Sequence, residues 1–107
     1  FIKRIIGLPG DKVMLKDGHI YINDKLVDES SYLSNSIYTN GGEFLHEGET
    51  ITVPEGQYFV CGDNRPHSSD SRTFGPIPIE NIKGKAWLVY FPFSQFRIAQ
   101  HETYQNL

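Results

Sequence analysis

The sequence predicts an all-β, antiparallel fold with very little helix. Three observations predict it. Apolar residues alternate with polar ones at a period of two in several short runs; Asp17-Gly18 sits between two such runs as a two-residue hairpin signal; and Gly, Pro, Asn and Asp interrupt the chain at short intervals.

Residues 1–6 (FIKRII) read as the first strand, bounded by the turn residues 7–11 (GLPGD). On a strand Phe1, Lys3 and Ile5 share one face, and Ile2, Arg4 and Ile6 share the other. Each face therefore has a cation between two apolar residues. Residues 12–16 place Val13 and Leu15 on one face, Asp17-Gly18 turns, and residues 19–23 return with Ile20 and Ile22 inward. Asn23-Asp24 turns the chain into residues 25–28. Residues 29–48, rich in Ser, Asn, Gly and Glu, fit neither the helical nor the strand period and read as a long excursion with a short strand near 36–39. A strand at 49–53 follows, then a turn at 54–57 (PEGQ) and a strand at 58–61 (YFVC). Pro76 and Pro78 extend residues 75–79. One helical turn is expected at 80–83, a central strand at 85–91 (KAWLVYF), a last strand at 93–99, and a polar, frayed tail from Gln100.

At 107 residues the chain is expected to form one β domain, with residues 24–48 as its variable part. The net charge is −3 with both signs mixed along the chain, which argues against a nucleic-acid surface. The single cysteine, Cys61, has no internal disulfide partner and reads as a small buried hydrophobe. No apolar run approaches the ~18 residues of a membrane-spanning helix. The first residue is Phe, in the middle of strand-like sequence, so the chain is expected to be a fragment of a longer protein, with a possible dimer through apolar surface left open around Phe1, Ile2 and Ile5.

Chemistry concentrates in residues 62–72 (GDNRPHSSDSR), where three Asp or Asn, two Arg and three Ser fall within eleven positions. One reading is a large, well-satisfied turn between strands. The other is a rigid loop presenting a side chain, with Arg65 and Arg72 placed to clamp a carboxylate such as Asp70. Lys3 has two readings as well. Its stem can lie along a sheet edge with the ammonium in water, or it can be desolvated by Phe1 and Ile5, which disfavours the charged form and suits a lysine to act as a general base. Arg4 cannot give up its proton. No metal is expected: Asp63, His67 and Asp70 match no closed zinc or calcium spacing. A Ser-His-Asp triad within 67–71 is not expected, because immediate sequence neighbours rarely point at one another.

The stretches FIKRIIGLPGDKV and FVCGDNRPHSSDSRTFGPIP, with GKAWLVYFP after them, resemble two signature regions of the bacterial type I signal peptidases, Ser-Lys endopeptidases that remove signal peptides from exported proteins. The resemblance covers residues 1–13 and 58–93. It implies that Lys3 is the general base and Ser68 the hydroxyl that orients its amine. Asp70 and Arg72 would brace the loop, Gly62, Asp63 and Asn64 would shape its start, and Phe1 and Ile2 would help line the pockets for small substrate side chains. His67 would not be catalytic. No cofactor is implied. The implied partners are signal peptides of exported preproteins, and the implied location is the cell membrane, held through a segment outside this chain, with the catalytic domain on the extracytoplasmic side. The family's nucleophile lies in a Ser-Met-x-Pro motif upstream of the lysine strand, and the 107 residues contain none, since the only methionine, Met14, precedes Leu15-Lys16. The chain alone is therefore expected to be inactive. The alternative is a non-catalytic β domain that binds extended peptides by strand addition.

Overall fold

The computed structural model describes residues 2–30, 32–34, 36–83 and 88–90, with the backbone alone for 2, 82–83 and 88–90. The expected roles of Phe1 and of a strand at 93–99 lie outside the described residues, as does any side-chain role of Ile2. Two four-stranded sheets carry the fold, with residues 77–78, 57–61, 2–7 and 88–90 in that order across one and residues 25–26, 19–22, 12–16 and 50–52 across the other. The strands are β1 (Ile2–Gly7), β2 (Lys12–Lys16), β3 (His19–Ile22), β4 (Lys25–Leu26), β5 (Thr50–Thr52), β6 (Gln57–Cys61), β7 (Ile77–Pro78) and β8 (Leu88–Tyr90). Helix is confined to α1 (Ser71–Phe74), α2 (Ile79–Lys83) and a 3-10 turn at Arg65–His67.

The β2–β3 hairpin forms as the sequence predicts. Asp17 (φ 53°) and Gly18 (φ 81°) both take the left-handed conformation that a tight two-residue turn requires, and Met14 pairs with Tyr21 in the resulting ladder. Asn23 and Asp24 repeat the device at the next turn, with φ of 52° and 70°. Alternation then decides which side is buried: Val13, Leu15, Ile20 and Ile22 point inward and pack with Ile6, Val53, Phe59 and Cys61 between the two sheets. A second cluster, Ile5, Leu8, Tyr58, Val60 and Ile77, covers the other face of β1 and β6. β6 and the Ile5–Ile6 end of β1 are thus buried on both sides, as their unbroken apolar runs require.

Three expectations need correction. The strand at 85–91 was expected at the centre; among the described residues β8 lies at the sheet edge, and it runs parallel to β1, pairing Lys3 with Val89. The central pair is β1 and β6, joined antiparallel with a bulge between Ile5 and Gly7. No strand forms at the described residues of 36–39; Thr39 instead donates one backbone hydrogen bond to Gly18 at 2.9 Å. The excursion also contributes to the core, where Leu45 is fully buried, and Thr39 is 1% exposed. Finally, Ile5 is fully buried, so it offers none of the open apolar surface from which association was argued.

Candidate functional site

β1 and the loop after β6 meet at Gly62. Register places Arg4 opposite Cys61, so the loop departs beside Lys3. The Lys3 side chain does not run out to water: the residue is only 9% exposed, and Nζ donates to the Ser69 carbonyl at 2.7 Å and to Ser68 Oγ at 3.4 Å. A cleft of about 460 Å³ opens here, lined by Lys3, Gly62, Asp63, Asn64, His67, Ser68 and Ser69. Gly62 is required by this approach, since a methyl group on its Cα would overlap Ser68 Oγ and sit 3.7 Å from Lys3 Nζ.

The loop is rigid because its carboxylates and guanidinium groups pair in buried positions. Asp70 is fully buried and caps α1 by accepting from the Arg72 backbone N–H. Its two oxygens also receive Arg72 Nε at 2.8 Å, Arg72 Nη2 at 2.7 Å and the Gly62 N–H at 3.0 Å. Burial opposes the Arg72 cation, but the hydrogen bonds to Asp70 outweigh it and hold its pKa above the ordinary arginine value. The remaining Arg72 donors reach the carbonyls of Asn40 and Arg65, both at 3.0 Å. Ser71 Oγ accepts the Val60 N–H at 2.8 Å, which fastens the loop's far end to β6.

Arg65 does not share Asp70, contrary to the sequence expectation. Its guanidinium, 1% exposed as a residue, donates to the two oxygens of Glu29 at 3.1 and 2.7 Å, to Thr39 Oγ1 at 3.1 Å and to the Gly62 carbonyl at 2.8 Å. Arg4, on the opposite face of β1 from Lys3, grips Asp63 through two bonds of 2.9 and 2.8 Å and lies 3.6 Å from the centre of the Tyr32 ring. Asp63 raises the Arg4 pKa against the opposing effect of burial. Tyr32 Oη donates to Glu29 at 2.8 Å, and burial followed by the Glu29 charge raises that phenol's pKa.

The structure thus brings together Lys3, Gly62, Asp63, Asn64 and Ser68 at one cleft, with Asp70 and Arg72 beneath it. His67 lines the same cleft and is exposed. Sequence reasoning missed Glu29, Tyr32 and Thr39, which lie in the excursion, and the pairing of Arg4 with Asp63. No local signal was available, since Glu29 is thirty-six positions from Arg65 and Arg4 is fifty-nine from Asp63. Cys61 is fully buried beneath the loop, with its thiol pushed up to about 12 by burial and then by the Asp70 charge. Among the described residues no group of His, Cys, Asp and Glu could hold a metal ion, and no helix is long and apolar enough to cross a membrane.

Known proteins resemble this chain in sequence and fold. The profile of the family described as signal peptidase, peptidase S26, matches residues 1–91. A signal peptidase I of Bacillus licheniformis is 44% identical over 101 residues, covering 91% of this chain and 54% of that protein. Signal peptidase I U of Bacillus subtilis is 45% identical over 107 residues, covering 94% and 54%. The crystal structure of a signal peptidase I from Enterococcus faecalis matches with a TM-score of 0.53 at 37% identity, covering 71% of this chain and 73% of that one. The chain spans about half the length of these two Bacillus relatives. With a family profile over most of its length and relatives above 40% identity, the chain belongs to the signal peptidase family, peptidase S26.

Proposed function

We propose that this chain supplies the general-base half of a Ser-Lys endopeptidase site, which in the intact protein cleaves signal peptides from exported preproteins at the extracytoplasmic face of the cell membrane. The observation that carries the reading is a buried lysine amine held at 2.7 Å by the Ser69 carbonyl and at 3.4 Å by Ser68 Oγ, at the floor of an open cleft. A lysine in such a place has its lone pair available once neutral, and the two loop oxygens fix where that lone pair points. Lys3 takes the proton from a serine hydroxyl as its oxygen attacks the scissile carbonyl, and returns it to the departing amine. Water then attacks the acyl carbon while the same amine takes its proton, and the amine returns that proton to the serine oxygen as the acyl–oxygen bond breaks. Ser68 and the Ser69 carbonyl position the base; Asp70 and Arg72 act through the loop backbone.

The serine belongs to a Ser-Met-x-Pro motif that these 107 residues do not contain, and the chain by itself is expected to be inactive. The test is preprotein cleavage by the intact protein. Lys3→Ala and Lys3→Arg both abolish it, because guanidinium keeps the charge and cannot accept the proton. Ser68→Ala slows turnover less severely, since it removes one orienting bond and leaves the base. Near-normal cleavage by Lys3→Arg overturns this mechanism. Peptide binding by the intact protein without cleavage supports the alternative, a β domain that binds extended peptides by strand addition.

A further inference from the structure

The Gly62 peptide unit is held from both sides. Its N–H donates to Asp70, which Arg72 clamps, and its carbonyl accepts from Arg65, which Glu29 clamps. The first brace lies wholly inside the loop. The second comes from the excursion, because Glu29 precedes the loop by more than thirty residues. A second link runs in parallel: Tyr32 covers the guanidinium of Arg4, which grips Asp63, the residue after Gly62, and the Tyr32 hydroxyl closes the circuit by donating to Glu29. Because Ser68 packs directly on the Gly62 Cα, any shift of that peptide moves Ser68 relative to Lys3 Nζ.

From this we infer that Glu29 and Tyr32 are positioning residues for the Lys3–Ser68 pair, so that these two side chains set catalytic geometry from outside the cleft. The inference rests on the Ser-Lys reading given above. Neither residue lines the cleft, so substrate does not meet them there. Their effect passes through Arg65 to the Gly62 carbonyl and through Arg4 to Asp63. Burial makes the linkage stiff: the Arg65 side chain is fully buried and that of Glu29 is 11% exposed, which leaves little water to replace a lost partner. Arg65 also meets Thr39, so the excursion touches the same guanidinium at two points.

The experiment uses the intact protein, steady-state cleavage of a signal-peptide substrate, and amide hydrogen exchange in parallel. Glu29→Ala and Tyr32→Leu are expected to lower kcat by about tenfold or more while KM stays within about twofold, since charge-assisted contacts are lost away from the substrate. Tyr32→Phe keeps the ring over Arg4 and is expected to retain most activity, and Glu29→Gln, which keeps an acceptor, falls between. The Gly62 amide exchanges about tenfold faster in Glu29→Ala, whereas the Val13 and Leu15 amides in β2 are unchanged. A rise in KM at constant kcat overturns the inference by placing these residues at the substrate. Equal acceleration at Gly62, Val13 and Leu15 overturns it by showing a general loss of stability, as do unchanged kcat and unchanged exchange. If the unaltered protein fails to cleave, the Ser-Lys reading falls, and the exchange at Gly62 still decides whether Glu29 holds the loop.

Discussion

Asp70→Asn is the sharpest test of how the loop is held. The carboxylate accepts four hydrogen bonds, from Gly62 N, Arg72 N, Arg72 Nε and Arg72 Nη2, at 2.7 to 3.1 Å, and no part of the residue reaches solvent. An asparagine of the same shape keeps one acceptor oxygen and turns an amide N–H₂ toward groups that can only donate. The Arg72 guanidinium, whose side chain is 4% exposed, is left without its counter-charge. Removing one partner of a buried pair costs about 3–5 kcal/mol. At roughly 4 °C per kcal/mol for a domain of this size, the melting temperature falls by about 10 °C or more. Thermal unfolding followed by circular dichroism measures it, with Glu55→Gln in the exposed 54–57 turn as a control expected to move by less than about 2 °C. A double-mutant cycle with Arg72→Leu then separates the pair's coupling from the cost of the orphaned charge. If Asp70→Asn and Glu55→Gln melt together, the loop is not held by this pair and the argument fails.

Gly62→Ala forces Ser68 away from Lys3 and is expected to cost about 1–3 kcal/mol in stability, as overpacking does; turnover of the intact protein should fall with it, and a normal melting curve with normal kcat would contradict the close approach. Cys61 should resist iodoacetamide in the native state, because its thiol is buried and pushed up to about 12. It stays neutral as pH rises from 7 to 9, so labelling followed by mass spectrometry should not accelerate over that range and should become rapid only after denaturation. At the β2–β3 turn, Asp17→Val places a β-branched residue at φ 53° and should lower stability by about 1–2 kcal/mol, whereas Asp17→Asn should be nearly neutral by urea unfolding.

The sequence by itself determined what depends on neighbours along the chain. Alternation in residues 12–22 selected Val13, Leu15, Ile20 and Ile22 for the core, because a period of two leaves only one face to bury. Asp17-Gly18 specified the hairpin, since few residue pairs accept two positive φ angles. Prolines and glycine delimited the extended β7 segment and the short α2. Lys3, Ser68, Asp70 and Arg72 were found because they lie within two long, distinctive stretches, and the Asp70–Arg72 clamp spans only two positions. The tertiary structure alone decided the rest. Arg65 took Glu29 rather than Asp70 because Arg72 already fills the buried carboxylate, and the excursion brings a second one within 2.7 Å. Residues 29–45 carry no period to read: their place is fixed by single long-range contacts, such as the Thr39 hydroxyl to Arg65, the Tyr32 ring to Arg4, and the Arg72 carbonyl accepting from the Phe44 and Leu45 amides. The parallel pairing of β8 with β1 was equally invisible, because strand composition records burial and not the direction of the neighbour. Pairing and charge compensation across thirty to sixty residues are settled by which groups remain unsatisfied once the sheets close, and that competition exists only in the folded chain.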